Sequence, residues 1–171
     1  TLGISERVRA GRLCSAQQLE SLLTQTLTGA IGPVDGVASG ISFRAARGGA
    51  FERIPEVCAI MSSGRMPAEM RRASLQMGAR LWALSRGWRW TVSIHEQLDE
   101  LAETNDLHHA VAFGMLVSET TSSQVRAIAT YLYNTARSIV LAAARAIPLD
   151  EQQSLQVLSA VQSRMAQIAA R

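Results

Sequence analysis

The chain has 171 residues, 47% of them apolar and only 5% aromatic, with a formal charge of +3. That length supplies one domain with its own core, and that apolar content excludes a disordered chain. All 17 basic residues are Arg, a uniform bias that resembles genome composition and weakens the meaning of an Arg at any single place.

Helix signals run the length of the chain. Ser15 is placed to cap a helix over 16–30, with Leu19, Leu22, Leu23 and Leu27 on one face. "GAIGPVDG" reads as a break, and Pro33 suits the first turn of a following helix that buries Val34, Val37, Ala38 and Ile41. "RGGA" at 47–50 ends it, and 51–62 forms a shorter helix around Ile54, Val57, Cys58 and Met61. After "SSGRMP", a helix over 67–86 places Met70, Ala73, Met77, Leu81 and Leu84 at helical spacing, with Glu69, Arg71, Arg72 and Arg80 on its polar side. "RGWRWTVS" is a turn or a very short extended piece, followed by a helix over 94–104 with Leu98 and Leu101 inward. "TND" at 104–106 breaks the chain before a helix over 107–119. A long helix covers 123–147 and stops at Pro148, and the last, over 151–170, aligns Leu155, Leu158, Val161, Met165 and Ile168. No strand signal and no repeat interrupts this pattern. It predicts an all-α fold, a compact single-domain bundle of about eight to nine helices over residues 1–171.

The helix over 123–147 carries two stripes. Val125, Ile128, Leu132, Ala136, Ile139 and Ala143 make the core face. Tyr131, Asn134, Ser138, Ala142 and Arg145 make a second, roughly opposite, of small or hydrogen-bonding residues. Either neighbouring helices satisfy this second stripe inside the monomer, or it touches a subunit or partner.

Signs of chemistry are few. Cys14 and Cys58 lie far apart and read as buried small hydrophobes. His108 and His109 point about 100° apart on a helix and cannot chelate one metal from one face. The bland expectation is one histidine packed and one at the surface. "GVASG" and "GAIG" lack the strand and the Lys of a phosphate loop. No serine has the strand-turn-helix setting of a nucleophile. Glu96, Asp99, Glu100 and Glu103 read as a solvated acidic face. "RLWALSRGWRW" mixes Arg and Trp, yet the small net charge and the lack of a continuing basic face argue against nucleic acid. No stretch reaches the ~20 apolar residues a bilayer requires, and the chain opens without a signal peptide, so a cytoplasmic location is expected.

Four pieces recur in a fixed order: "IGPVDG" at 31–36, "EMRRASLQMG" at 69–78, "HHAVAFG" at 108–114, and "YLYN" followed by "AARAIPL" within 131–149. Together they resemble the urease accessory protein UreF family, with "GISERVRAGRL" at 3–13 as a further family-like helix. The resemblance implies an all-helical, dimeric protein without catalytic chemistry. It implies binding of UreD (also called UreH) and of the GTPase UreG, docking on apo-urease, and help in GTP-dependent delivery of nickel. Nickel and GTP would be handled by those partners, with no cofactor bound by this chain. By position, Tyr131, Asn134, Ser138 and Arg145 match the family's recurrent helix. Glu69, Arg71, Ser74 and Gly78 match its amphipathic helix, and His108, His109, Phe113 and Gly114 its histidine motif. The resemblance therefore implies a partner or dimer interface at Tyr131, Asn134, Ser138, Arg145, Glu69, Arg71, His108 and His109.

Two departures stand out. Asp150 and Glu151 follow Leu149 where the family continues with glycine and glutamine, and the chain is expected to lack the family's extreme N-terminal segment and C-terminal tail. The competing reading is a helical ligand-binding or regulatory domain with an apolar pocket. A helical cofactor enzyme would need ligands that the sequence does not offer.

Overall fold

The computed structural model describes residues 3–64, 67–104 and 106–171. Arg65, Met66 and Asn105, which fall in the expected breaks at 62–67 and 104–106, lie outside the described residues. The fold is all-α, and no strand occurs among the described residues. In chain order it contains α1 (Ile4–Arg9), α2 (Ala16–Thr26), a π-helical segment (Leu27–Gly36), α3 (Val37–Gly48), α4 (Arg53–Ser63) and α5 (Ala68–Ser85). A 3-10 turn (Arg89–Thr91), α6 (Val92–Thr104), α7 (His109–Val117), α8 (Gln124–Ala144) and α9 (Glu151–Ala169) complete it. The contacts divide into two units, Thr1–Pro33 with Leu132–Arg171, and Val34–Tyr131.

In the first unit α2 packs on α9. Leu19, Leu23 and Leu27 are fully buried, and α9 contributes Val157, Leu158, Val161 and Met165. Each such side chain contributes about 2 kcal/mol by leaving water. Both helices start on side-chain caps. Ser15 accepts from the Gln18 backbone N–H at 3.3 Å. Asp150 accepts from the Gln153 N–H at 2.7 Å, while the Gln153 side chain accepts from the Asp150 N–H at 3.0 Å. Asp150, the departure from the family pattern, thus closes a reciprocal capping box that starts α9.

In the second unit α7 is the hub, packed against α3 and α5 and touching α4. It is apolar nearly all round, and Ala110, Val111, Ala112 and Met115 have no exposed surface. Its C-terminal end is anchored by Arg47, whose Nη1 donates to the carbonyls of Ser118 and Thr121 at 3.0 and 3.2 Å.

Several expectations require correction. The break expected within 29–36 is instead a π-helical segment with Pro33 inside it. A prolyl ring clashes with the carbonyl four residues back in an α-helix and lacks an N–H; the wider i→i+5 winding takes Pro33 out of that register. Val34 and Val37, expected in the core, are 44% and 52% exposed and Ile41 is half-buried; Ala38 is buried as expected, joined by Ser39, Gly40, Ser42 and Phe43. The expected inner face of α5 lies outside: Met70, Met77 and Leu84 are exposed, while Gly78, Trp82 and Ser85 are buried. On α8, Val125 is exposed and Ile139 half-buried, whereas Tyr131, assigned to the second stripe, is buried. Leu155 of α9 is exposed, and so is Cys14; Cys58 is buried.

Candidate functional site

The residues singled out by their family pattern fall into two groups, one in each unit. The first lies where α4, α5 and the start of α7 meet. Gly78 of α5 lets that helix approach the chain entering α7 so closely that a Cβ there would overlap the Leu107 carbonyl oxygen. Gly114 of α7 does the same against the Ser39 carbonyl of α3. The glycines of "LQMG" and "VAFG" are therefore contact points of one three-helix arrangement.

His108 has no exposed surface and sits inside this junction. Its Nδ1 lies 3.0 Å from Ser74 Oγ, and its Nε2 lies 3.0 Å from Ser62 Oγ. A hydroxyl both gives and accepts a hydrogen bond, so two serines satisfy a neutral imidazole in either tautomer. Burial lowers the His108 pKa from its ordinary value, with Asp106 opposing and Arg71 reinforcing that direction. Arg71 Nη1 in turn donates to the Ser62 carbonyl at 3.0 Å, fastening α5 to the end of α4. Burial pushes the nearby Cys58 thiol up to about 11, against a hydrogen bond from the His108 backbone, so the thiol stays protonated and inert. His109 is half-buried rather than at the surface, and burial lowers its pKa too. Its ring centroid lies 5.5 Å from that of Tyr131, which meets Phe113 edge-on at 5.4 Å. Of this group Glu69 alone is exposed; Arg71, Ser74, His109 and Phe113 are half-buried.

The second group lies on α8 within the first unit. Leu132, Ala136, Val140 and Ala143 face inward there. Asn134, Ser138 and Arg145 are exposed, together with Tyr133 and Leu141 at 40% and 48%. Ser138 returns its hydroxyl proton to the Asn134 carbonyl at 2.9 Å. Arg145 has no hydrogen-bond or ion-pair partner among the described residues, so its guanidinium is available to another surface. Tyr131 does not share this outward face.

A third cluster, missed in the sequence, joins the end of α5 to α6. Ser85 Oγ lies 2.8 Å from His95 Nε2, and His95 Nδ1 lies 2.8 Å from Asp99 Oδ1. The order resembles a Ser-His-Asp relay, but Ser85 has no exposed surface and donates to the Trp82 carbonyl at 2.7 Å. No substrate carbonyl reaches it, so the chain's own packing uses these groups. Asp99 also accepts from Trp82 Nε1 at 2.8 Å and lies 3.3 Å from Arg86, which pairs with Glu103 at 3.0 Å. Burial alone raises the Asp99 pKa, but hydrogen bonds from His95 and Trp82 and the charges of His95 and Arg86 outweigh it and hold the carboxyl below its usual range. The expected solvated acidic face is thus partly a structural clasp. Residues i and i+4 on α6, His95 and Asp99, were the only advance sign of it.

Among the described residues, no three His, Cys, Asp or Glu side chains come close enough to hold a metal ion. An open groove in the first unit is lined mainly by Arg7, Arg12, Gln17, Gln18 and Gln25, a polar wall with Leu22 as its one large apolar member. No helix among the described residues is long and apolar enough to cross a membrane.

A family model described as UreF matches residues 13–162. The urease accessory protein UreF of Geobacillus kaustophilus (strain HTA426) is 22% identical over 148 residues, which cover 86% of this chain and 64% of that relative. The chain therefore spans just under two thirds of that relative's length.

Proposed function

The family match takes in most of the chain, which therefore belongs to the UreF family, and on that premise we propose that it is a non-catalytic accessory protein of urease maturation. In this reading it gathers UreD (UreH) and the GTPase UreG on apo-urease and regulates GTP-dependent nickel delivery, with nickel as cargo of the assembly. It acts in the cytoplasm as a homodimer.

The observation that carries the reading is the outward face of α8. Asn134, Ser138 and Arg145 belong to the family-patterned stretch, yet they support nothing inside the first unit's core. A polar stripe of small residues beside the exposed guanidiniums of Arg137 and Arg145 suits a protein surface: small side chains permit close approach, and a planar fork holds carbonyls or a carboxylate. The buried members of the pattern, His108, Gly78 and Gly114, together with the half-buried Ser74, keep the second unit rigid. A scaffold needs that rigidity, because ordering a loose surface on binding would cost affinity.

The test is reconstitution with purified UreD and UreG. Size-exclusion chromatography with light scattering is expected to yield an assembly containing all three proteins, and Arg145→Glu is expected to weaken it at least tenfold with helix content unchanged. Absence of any assembly would refute the reading. Loss of helix content in the variant would make Arg145 a structural residue.

A further inference from the structure

The outer face of α5 is an apolar seam that none of the described residues covers. Met70, Met77 and Leu84 are 42%, 52% and 59% exposed, and Ala73 between them is exposed as well. Single exposed apolar side chains are ordinary, but these are not scattered. Residues 70, 73, 77, 80 and 84 follow the alternating three- and four-residue spacing by which one helix presents a seam to another. The seam runs 14 residues, about 21 Å. Arg80 occupies its one polar position, is exposed, and has no ion-pair partner among the described residues.

The helix is seated by other means, which is why this face is left over. Gly78, Trp82 and Ser85 turn inward, and Arg71 fastens α5 to α4. Methionine suits such a surface, because its unbranched side chain adapts to whatever packs on it.

We propose that this seam docks an amphipathic helix of another protein that carries a carboxylate opposite Arg80. The charge decides the occupant. A guanidinium within an apolar seam loses water when covered; the carbonyls of a partner helix are tied up in its own hydrogen bonds, so a carboxylate opposite is what compensates both the donors and the charge. A second copy of α5 does not supply one. In parallel register Arg80 faces Arg80; in the antiparallel register centred on Met77 it faces Ala73, with Glu69 a further turn away along the helix. The proposal concerns a different face from the α8 stripe and does not depend on the assembly reading.

The test uses the full chain and two synthetic 21-residue helical peptides with leucine at every seam position except the central one. That position is glutamate in one peptide and lysine in the other. By fluorescence anisotropy, the glutamate peptide is expected to bind about tenfold or more tightly than the lysine peptide. Arg80→Glu is expected to reverse the order, and Met77→Glu to abolish both. Binding of neither peptide, equal binding of both, or binding unaffected by Met77→Glu overturns the proposal. So does a Met77→Glu variant that turns a dimer into a monomer by sedimentation, because the seam's occupant would then be a second copy.

Discussion

A histidine with no exposed surface is costly to charge; two serines satisfy the neutral ring of His108, and the opposing charge of Asp106 does not outweigh burial. Its folded pKa lies below the ordinary 6.5, so the unfolded chain takes up a proton first as pH falls. Stability therefore decreases below about pH 6.5, and His109 acts in the same direction. His108→Gln is expected to flatten the fall in urea midpoint between pH 7.5 and 5.5, while costing about 1–3 kcal/mol at pH 7.5 through unpaired serines and lost packing. A midpoint as pH-sensitive as the wild type's would contradict this account of His108. Asp35 has the opposite sign. Burial raises its carboxyl from 3.8 to about 6, so its charge opposes folding above that pH and the penalty disappears as pH falls. Asp35→Asn is expected to raise stability at pH 7.5, by no more than about 3 kcal/mol, and to leave it unchanged once pH falls well below the unfolded value of 3.8. The sequence marks His108 only as half of an adjoining pair. Its serine partners come from 46 and 34 residues away, a distance at which no spacing rule speaks.

At the scale of elements, the helices were readable and their rotations were not always so. Apolar periodicity locates α4 and places Ile54, Val57, Cys58 and Met61 inward as found. On α5 the same rule chooses Met70, Met77 and Leu84, yet the helix turns Gly78, Trp82 and Ser85 inward. Periodicity counts apolar area, whereas this contact is made by backbone approach and hydrogen bonds, which favour small and polar residues. Gly78→Ala and Gly114→Ala are each expected to cost about 3 kcal/mol or more, since backbone carbonyls block the added methyl. Gly40→Ala is expected to cost much less, because the groups it meets are the ends of the Gln124 and Ile128 side chains. Thermal unfolding of the three variants checks this order, and a Gly40 variant as unstable as the other two would break it. Asp150→Ala is expected to cost about 1 kcal/mol by removing the start of α9.

For the molecule as a whole, family membership was legible because four short motifs keep their order along the chain, and the family match over residues 13–162 agrees with them. The structure gives those motifs separate physical roles. "LQMG" and "HHAVAFG" hold the second unit together, whereas Asn134, Ser138 and Arg145 look outward from the first. Tyr131 shows where a helical wheel misleads: buried positions on α8 are Ala127, Ile128 and Tyr131 before the boundary between units and Leu132, Ala136, Val140 and Ala143 after it, so no single face is the inner one along its length. The division of labour makes a direct prediction. Variants of buried motif residues lose stability and binding together, while outward α8 variants lose binding alone. The most direct measurement is the affinity of Arg145→Glu for the purified UreD and UreG assembly, read beside its thermal unfolding. An affinity at least tenfold weaker, with the unfolding midpoint within a few degrees of wild type, is the predicted result. Unchanged affinity in a folded variant would contradict the claim that this chain works through that face.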